Sequence, residues 1–185
     1  QIKPVSVDTL SISEGPVSYT GLRIGVSTAK GLCYGANIPL IAVNTLQNLT
    51  QGLLAHLKEG GRQPDNDAVY IPMLDARRME VYSAVIDRKN HFIRGVKAEV
   101  INKNSFAQWL ERNTVYFFGN GSEKCRDIIK HPSARFIDGV DLSAKYMVPL
   151  AEEKYSKSEF EDLAYFEPFY LKDFIATTPR KNILR

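Results

Sequence analysis

Residues 15–35 read GPVSYTGLRIGVSTAKGLCYG, and our interpretation of the whole chain starts from this stretch. It combines a Gly-Pro turn with a predicted helix over about 21–34. Thr20 is well placed as the N-cap, and Ser18 is the alternative one register earlier, because either hydroxyl can accept a hydrogen bond from a free N–H group of the first turn. Gly35 suits the C-terminal end of the helix.

The predicted helix is apolar or small around more than half of its circumference. At about 100° per residue, its larger polar side chains gather on one narrow side: Arg23, Ser27, Lys30 and Tyr34. A helix packed only on its own sheet needs an apolar stripe of roughly 100°, so another surface must cover the surplus. Interior glycines cost about 1 kcal/mol each relative to alanine, which is tolerable where a second backbone approaches closely. The second surface is either part of the same domain or a helix of another subunit, and the pattern leaves both open.

The same stretch, followed by IPLIAVNTL (38–46), resembles the signature of the bacterial TsaB (YeaZ) family. The usual form of the turn in that family is GPGSYTGLR or GPGSFTGLR, and Val17 stands here in place of the second glycine. The resemblance resumes in PMLDARRMEVYSAVID (72–87), FFGNGSEK (117–124) and EPFYLKDF (167–174). It therefore extends over nearly the whole chain.

Composition narrows the class of protein. A chain of 185 residues with 44% hydrophobic residues suits one domain or two small ones. No apolar run approaches the roughly 20 residues of a membrane span. The two cysteines, Cys33 and Cys125, are far apart in the sequence, which favours reduced thiols and a cytoplasmic protein. The net charge of +3 permits contact with RNA without predicting it.

Secondary-structure patterns divide the chain near GGRQPDND (60–67), a polar and turn-rich stretch. Before it, the order is strand, helix, strand, helix, at 7–13, 21–34, 39–43 and 46–59. After it, three strands predict an antiparallel meander, and helices then alternate with strands. The strands fall at 68–74, 80–87, 92–101, 115–118 and 134–138, and the helices at 104–111, 122–130 and 142–156, the last one irregular at Pro149.

The βββαβαβα order of the second half is the plan of ribonuclease H-like proteins, two copies of which form the actin-like fold. We therefore predict a duplicated α/β fold of mixed sheets flanked by helices, with domains at 1–62 and 63–185. The first half of the chain corresponds only to the last four elements, βαβα, of the same ribonuclease H-like plan. Because a sheet without its opening strands exposes unpaired edges, we expect either roughly 60 further residues before Gln1 or strands from a partner chain. The aromatic-rich segment 160–185 could cross back over the first half.

No catalytic or metal-binding residue is predicted. A mononuclear metal site needs closely spaced ligands, and the three histidines, His56, His91 and His131, are isolated from one another in the sequence. The catalytic relatives, the TsaD proteins, carry a His-x-x-x-His metal motif that this sequence lacks. Ser18 lies in a sharp turn, but its neighbours do not form the G-x-S-x-G pattern of a nucleophile elbow, so capping explains it better.

Two short segments are candidates for nucleotide or RNA contact. Gly119 and Gly121 lie between a strand and a predicted helix, where free N–H groups could meet an anion or a sugar; backbone geometry is the other reason for glycine there. Arg77 and Arg78 could form a fork for RNA phosphate or for a partner's carboxylates. The alternative is that one arginine pairs with an acidic residue of its own hairpin while the other is solvated.

Nucleotide binding by this chain alone is not expected. Actin-like folds grip phosphates on two hairpin turns, and the corresponding turn here, at 75–79, contains no glycine. Its backbone is therefore poorly suited to wrap a phosphate. Binding of ATP or ADP by a complex that includes this chain is left open.

The resemblance implies a scaffold subunit that dimerises with TsaD through helices of the first domain. Together with TsaE, such a subunit supports transfer of a threonylcarbamoyl group to the adenosine beside the anticodon of certain tRNAs, and it reaches the tRNA indirectly. The predicted contact positions are Gly21, Leu22, Gly25, Thr28, Ala29 and Leu32. Two alternatives stay open: a homodimer through the same helix face, and an ATP-binding actin-like enzyme or glycoprotease-like peptidase that acts alone.

Overall fold

The computed structural model describes residues 7–171. Within them, seven strands and four helices follow in this order: β1 (Leu10–Gly15), α1 (Tyr19–Ala36), β2 (Leu40–Asn44), α2 (Thr45–Glu59), β3 (Val69–Asp75), β4 (Glu80–Ile86), β5 (Phe92–Val100), α3 (Ala107–Leu110), β6 (Val115–Phe118), β7 (Ala134–Ile137) and α4 (Val148–Ser156). Short 3-10 helices occupy Glu123–Cys125 and Ala144–Met147. Every helix in this range is too short or too polar to cross a membrane.

β1 and β2 form a two-stranded parallel sheet, with residues 10–13 opposite residues 40–43. All residues of β2 are buried, as expected of a strand covered on both faces. Successive side chains of a strand point to opposite faces. Leu40 accordingly packs against α1, while Ile41 and Val43 pack against α4 and the 3-10 turn before it.

The second sheet has five strands in the order β5-β4-β3-β6-β7. β3, β4 and β5 pair as an antiparallel meander, and β6 and β7 continue the sheet as parallel strands on the other side of β3. This is the ribonuclease H-like plan that the order of predicted elements indicated. The predicted α/β fold class of mixed sheets flanked by helices is therefore confirmed.

α2 connects the two sheets. Its leucines pack with Tyr70, Leu74 and Phe118 of the second sheet. At its first residue, the hydroxyl of Thr45 lies 2.6 Å from the hydroxyl of Ser13 in β1. The cap is the side chain of the preceding asparagine, and the helix ends at a glycine, as the sequence predicts. The division of the chain into 1–62 and 63–185 stays a prediction.

Two of the predicted helices differ from the structure. The helix expected over 104–111 is reduced to α3, four residues that begin after Phe106, whose φ is 64°. The helix expected over 122–130 is a 3-10 turn followed by further turns. Segments of this length are marginal as α-helices, so tertiary contacts decide their conformation. The helix over 142–156 is interrupted as predicted, because Pro149 occupies the first turn of α4, where its missing N–H costs nothing.

The ends of α1 also differ from the prediction. Ser18, rather than Thr20, is the N-cap, and its Oγ accepts a hydrogen bond from the N–H of Gly21 over 3.1 Å. At the other end the helix continues through Gly35 and stops at Asn37, which adopts the left-handed conformation with φ 54°. Glycine is the residue that most often ends helices in this way, and asparagine is the usual alternative.

The last described residues, 160–171, run back across the first sheet, and we call them the C-terminal strap. The N–H of Glu161 donates to the carbonyl of Leu40 over 2.9 Å, and the N–H of Phe169 donates to the carbonyl of Glu14 over 2.8 Å. The sequence predicts that residues 160–185 cross back over the first half. Residues 172–185 of this segment lie outside the described residues, as do residues 1–6.

Candidate functional site

The inner side of α1 is buried by this chain itself. Leu22, Val26, Ala29 and Cys33 are all at most 5% exposed. They face the first sheet and the strap: Ala29 and Cys33 belong to a hydrophobic cluster that also contains residues of the first two strands and of the strap. Leu22 lies against Gly15, where an added Cβ atom would be 3.2 Å from the leucine side chain.

Among the described residues, none covers the outer side of α1, and this side carries no charged side chain. Ile24 is 64% exposed and Leu32 is 52% exposed, and a Cβ atom added at Gly31 or Gly35 would meet no atom of the described chain within 4 Å. These residues fall in an arc of roughly 100° on the helix surface. We call this arc the docking face, and it consists of Gly21, Ile24, Thr28, Gly31, Leu32 and Gly35.

Three of the six predicted contact positions, Gly21, Thr28 and Leu32, lie on the docking face. The prediction needs correcting at Leu22 and Ala29, which are each 4% exposed and therefore offer no surface to a partner. Gly25 is half-buried, and a Cβ atom there would meet Ile12 at 3.4 Å.

The contact prediction also left out Ile24, Gly31 and Gly35. The sequence pattern places all three on the apolar arc of the predicted helix. It contains no signal that distinguishes the part of this arc that faces the sheet from the part that faces outward.

Charged and aromatic groups border the docking face on one side. The guanidinium of Arg23 lies over the ring of Tyr19, 5.5 Å from its centroid, and Tyr19 in turn packs on Tyr170 of the strap, with 5.0 Å between ring centroids. The ammonium of Lys30 is directed at the strap. These contacts hold the cations of α1 away from the docking face.

The turn between β3 and β4, at residues 76–79, has a cation at its centre. The ammonium of Lys124 donates to the carboxylate of Asp75 and, over 2.7 Å each, to the backbone carbonyls of Arg78 and Glu80. The hydrogen bond from Lys124 is the main reason that the pKa of Asp75 is lowered. The ammonium of Lys124 and the oxygens that bind it thus occupy the inside of this turn, where a gripped phosphate group would have to lie.

Arg77 and Arg78 are both exposed at this turn. The alternative in which Asp75 pairs with one of the two guanidinium groups is not what the structure shows. Its carboxylate instead binds Lys124 and accepts the backbone N–H of Arg77 over 2.9 Å.

Gly119 and Gly121 serve close packing of backbones. A Cβ atom at Gly119, whose φ is 91°, would lie 2.5 Å from the carbonyl oxygen of Met73, and one at Gly121 would lie 2.8 Å from the carbonyl carbon of Leu74. The N–H of Gly121 already donates to the carbonyl of Met73 over 3.0 Å, so it is not available to an anion. The structure therefore supports backbone geometry as the reason for these glycines.

A cleft of about 270 Å³ opens at the carboxyl ends of β6 and β7, next to these glycines. Ligands of open α/β sheets bind at this end of the strands. Three carboxylates line the cleft, those of Glu123, Asp138 and Asp141, and Asp138 pairs with Arg126 over 2.6 Å. The excess of negative charge disfavours the phosphates of a nucleotide.

Metal ligands and reactive thiols are the remaining groups that would indicate catalysis. Residues 7–171 contain no group of three His, Cys, Asp or Glu side chains that could hold a metal ion. Both cysteines are buried, and burial raises the pKa of Cys33 and of Cys125. A thiol with a raised pKa is a poor nucleophile.

Comparison with known proteins agrees with this architecture. Residues 1–179 match the family model described as TsaD, tRNA N6-adenosine threonylcarbamoyltransferase. The chain is 31% identical over 177 residues to the tRNA threonylcarbamoyladenosine biosynthesis protein TsaB of Escherichia coli K12, covering 92% of this chain and 73% of that protein. It is 32% identical over 133 residues to the protein of the same name from Bacillus subtilis 168, covering 69% and 52%.

A solved structure shares the fold. YeaZ from Pseudomonas aeruginosa superposes with a TM-score of 0.68 at 21% identity, covering 92% of this chain and 77% of that one. With the family model matched over most of the sequence and the Escherichia coli relative above 30% identity, the chain belongs to the TsaB (YeaZ) branch of the TsaD family.

Proposed function

We propose that this chain is a scaffold subunit in the synthesis of threonylcarbamoyladenosine in tRNA, and that it binds a TsaD-type partner through the docking face of α1. The relatives from Escherichia coli and Bacillus subtilis are named as proteins of this biosynthesis. The observation that carries the proposal is the docking face itself. It is an exposed, uncharged arc on a helix whose opposite side packs on the first sheet and the strap. The proposal includes a cytoplasmic location, TsaE as a further member of the complex, and association with tRNA as part of that complex.

Burial of the docking face is energetically favourable. Complete burial of an isoleucine or leucine side chain contributes about 1.5–3 kcal/mol. Ile24 and Leu32 each expose more than half of their surface, so covering both is expected to contribute about 2–3 kcal/mol. Glycine at positions 21, 31 and 35 lets a second helix approach closely, and the absence of charge on the arc removes the desolvation cost that buried ions would add.

The contacts around the second sheet support a scaffold over an enzyme that acts alone. The turn that would hold a phosphate is filled by the ammonium of Lys124. The cleft at the ends of β6 and β7 is lined by carboxylates. Cys125, the cysteine nearest to this region, is fully buried. An ATP-binding enzyme would need backbone N–H groups directed at the phosphates and a cleft without excess negative charge, and a cysteine peptidase would need an accessible thiol.

The docking face also suits a second copy of this chain. Its small side chains are uncharged, so two such faces can meet without like-charge repulsion. We propose that a homodimer forms through this face when the partner is absent and that TsaD displaces the second copy.

Substitutions on α1 test the proposal. Leu32→Arg and Ile24→Arg each place a charge on the docking face, and we expect at least about tenfold weaker binding to TsaD because the charge would be buried without a counter-ion. Ser27→Arg is the matched control, since Ser27 is exposed on the polar side of the same helix. Binding is measured by titration calorimetry and by size-exclusion chromatography with light scattering.

Two results would contradict the scaffold proposal. The first is a Leu32→Arg variant that binds TsaD as tightly as the unmodified chain does. The second is turnover of ATP or a peptide by the chain in the absence of any partner. Titration of ATP into the isolated chain is the simplest first measurement.

A further inference from the structure

We propose that the turn between β3 and β4 is a preformed contact for the phosphate backbone of RNA, with Arg77 and Arg78 as the binding groups. The choice of RNA as the source of the phosphates rests on the proposed function. Charge, backbone conformation and hydrogen bonding at the turn support this contact. Its location on the second sheet separates it from the docking face on α1.

The guanidinium groups of Arg77 and Arg78 are exposed. None of the salt bridges within residues 7–171 includes either of them. The carboxylate of Asp75, the last residue of β3, is bound to Lys124. Lys124 therefore neutralises the acidic group that would otherwise compete with an external anion for the arginines.

The backbone of the turn is held in an unusual conformation. Arg77 has φ 71° and Arg78 has φ 49°, and such left-handed angles are unfavourable for residues other than glycine. Two backbone hydrogen bonds close the turn, from the N–H of Ala76 to the carbonyl of Glu80 and from the N–H of Glu80 to the carbonyl of Arg77, each 3.1 Å long. A strained conformation persists where surrounding contacts determine it, and such positions are found preferentially at functional sites.

Lys124 supplies those surrounding contacts. Its ammonium binds the carbonyls of Arg78 and Glu80 from inside the turn, so the oxygens face inward and the arginine side chains are on the exposed outside. Because the loop is already fixed, an anion that binds the arginines does not have to order it first. Preorganisation of this kind reduces the entropic cost of binding.

The neighbouring loop adds a further positive charge. The N–H of Ile101 donates to the carbonyl of Met79 over 2.9 Å, which places the loop after β5 beside the turn. Lys103 lies in this loop and is exposed. This end of the sheet thus carries three exposed cations on two adjacent loops.

The chemistry of these groups favours a phosphate chain over protein carboxylates. The planar guanidinium matches phosphate geometry and can bind it through two parallel hydrogen bonds. Exposed pairs between arginine and a protein carboxylate contribute little. A polyanion also releases condensed counterions when its phosphates are neutralised, which makes each exposed arginine more effective.

The test measures binding of a fluorescently labelled, unmodified tRNA transcript to the complex of the full chain with TsaD, over about 50–200 mM salt. We expect Arg77→Gln and Arg78→Gln each to weaken binding several-fold and to reduce the slope of log K against log salt by about 1. The double variant should lose about 2 from the slope. Arg112→Gln is the matched control, because Arg112 is exposed and precedes β6 at the opposite end of the same sheet.

A variant of the supporting lysine tests preorganisation. Lys124→Met combined with Asp75→Asn leaves both guanidinium groups in place, frees no competing carboxylate, and removes the three hydrogen bonds from Lys124 that hold the turn. We expect weaker tRNA binding with a nearly unchanged salt slope, and circular dichroism together with TsaD binding verifies that the variant is folded.

The outcomes separate this proposal from the proposed function. Unchanged affinity and salt slope in the double arginine variant would overturn the RNA contact while leaving the TsaD complex intact. Loss of TsaD binding in that variant, without loss of tRNA binding, would assign the turn to protein carboxylates and also overturn it. If the unmodified chain forms no complex with TsaD, the proposed function fails, and direct titration of the chain alone with tRNA still decides the role of the arginines.

Discussion

The ammonium of Lys30 on α1 donates a hydrogen bond to the backbone carbonyl of Phe166 over 3.1 Å, although 136 positions separate the two residues in the sequence. The same ammonium donates to the carbonyl of Ala164 over 3.3 Å. Both acceptors belong to the C-terminal strap. The helix that carries the docking face is thereby fixed to the end of the described chain on the side away from the docking face.

Removal of this ammonium should release the strap. Lys30→Met keeps most of the aliphatic chain and loses both hydrogen bonds, and we expect the free energy of unfolding to fall by about 1–2 kcal/mol, the lower part of the range for bonds to charged groups because the site is half-exposed. Urea denaturation measures the loss, and limited proteolysis should cut the strap sooner. Lys58→Met, at an exposed lysine of α2, is the control, and an equal effect of both substitutions would contradict the role of Lys30.

A methyl group at Gly119 should destabilise the second sheet. The alanine Cβ would crowd the carbonyl of Met73 and the side chain of Leu49, and its φ of 91° is strained for alanine, so we expect a loss of about 3 kcal/mol or more. Gly139→Ala isolates the strain, because Gly139 also has a positive φ, 75°, but a Cβ there meets nothing within 4 Å. That control should lose only about 1–2 kcal/mol. If Gly119→Ala and Gly139→Ala have equal midpoints in chemical denaturation, the neighbours of Gly119 move to make room for the added methyl group, and the prediction fails.

Asp75 should stabilise the fold in a pH-dependent way. Its pKa in the folded protein is lowered from the ordinary value of 3.8, first through the hydrogen bond from Lys124. The ionised carboxylate therefore contributes stability above the ordinary pKa, and this contribution disappears as the pH falls through the lowered value. Since the side chain is 50% exposed, we expect Asp75→Asn to cost no more than about 1 kcal/mol near neutral pH.

Thermal denaturation across the acid range checks this expectation. The difference between Asp75→Asn and the unmodified chain should shrink below about pH 4 and vanish in stronger acid. Asp127→Asn provides the comparison at an exposed aspartate that has no ion pair within residues 7–171. A difference for Asp75→Asn that is constant with pH would mean that the ion pair with Lys124 contributes nothing.

The two thiols should be unreactive in the folded protein. Cys33 and Cys125 are fully buried, and burial raises the pKa of each, so little thiolate is present at mildly alkaline pH. A chromogenic thiol reagent should label neither residue until denaturant is added, and both afterwards. Ser27→Cys introduces an exposed thiol on α1 as the positive control. Rapid labelling of the native, unmodified chain would show that one of the two sites opens readily.

The sequence predicted correctly those elements whose capping residues, hydrophobic spacing and turns all lie within one short segment. α2 has its capping asparagine, its leucines at helical spacing and its terminal glycine close together in the sequence, and the structure places the helix within one residue of the prediction. The antiparallel meander of β3, β4 and β5 followed in the same way, because short links dictate antiparallel neighbours. These parts of the fold depend little on distant contacts.

Predictions failed where distant residues decide the outcome. The inward side of α1 is fixed by strap residues such as Leu163 and Phe166, so the sequence could not show that Leu22 and Ala29 face inward while Ile24 faces outward. The segment after Gly121 looked helical, but it places Lys124 against a turn more than forty residues earlier in the chain. Such contacts leave no trace in the local periodicity.

The strap has a consequence for biosynthesis. Glu14, Lys30 and Leu40 all take hydrogen-bonding partners from residues 161–169, so these early segments cannot complete their contacts until that part of the chain has left the ribosome. Until residue 161 has emerged, α1 has only the first sheet to pack on. In the proposed complex, assembly through α1 is therefore expected to follow synthesis of the strap.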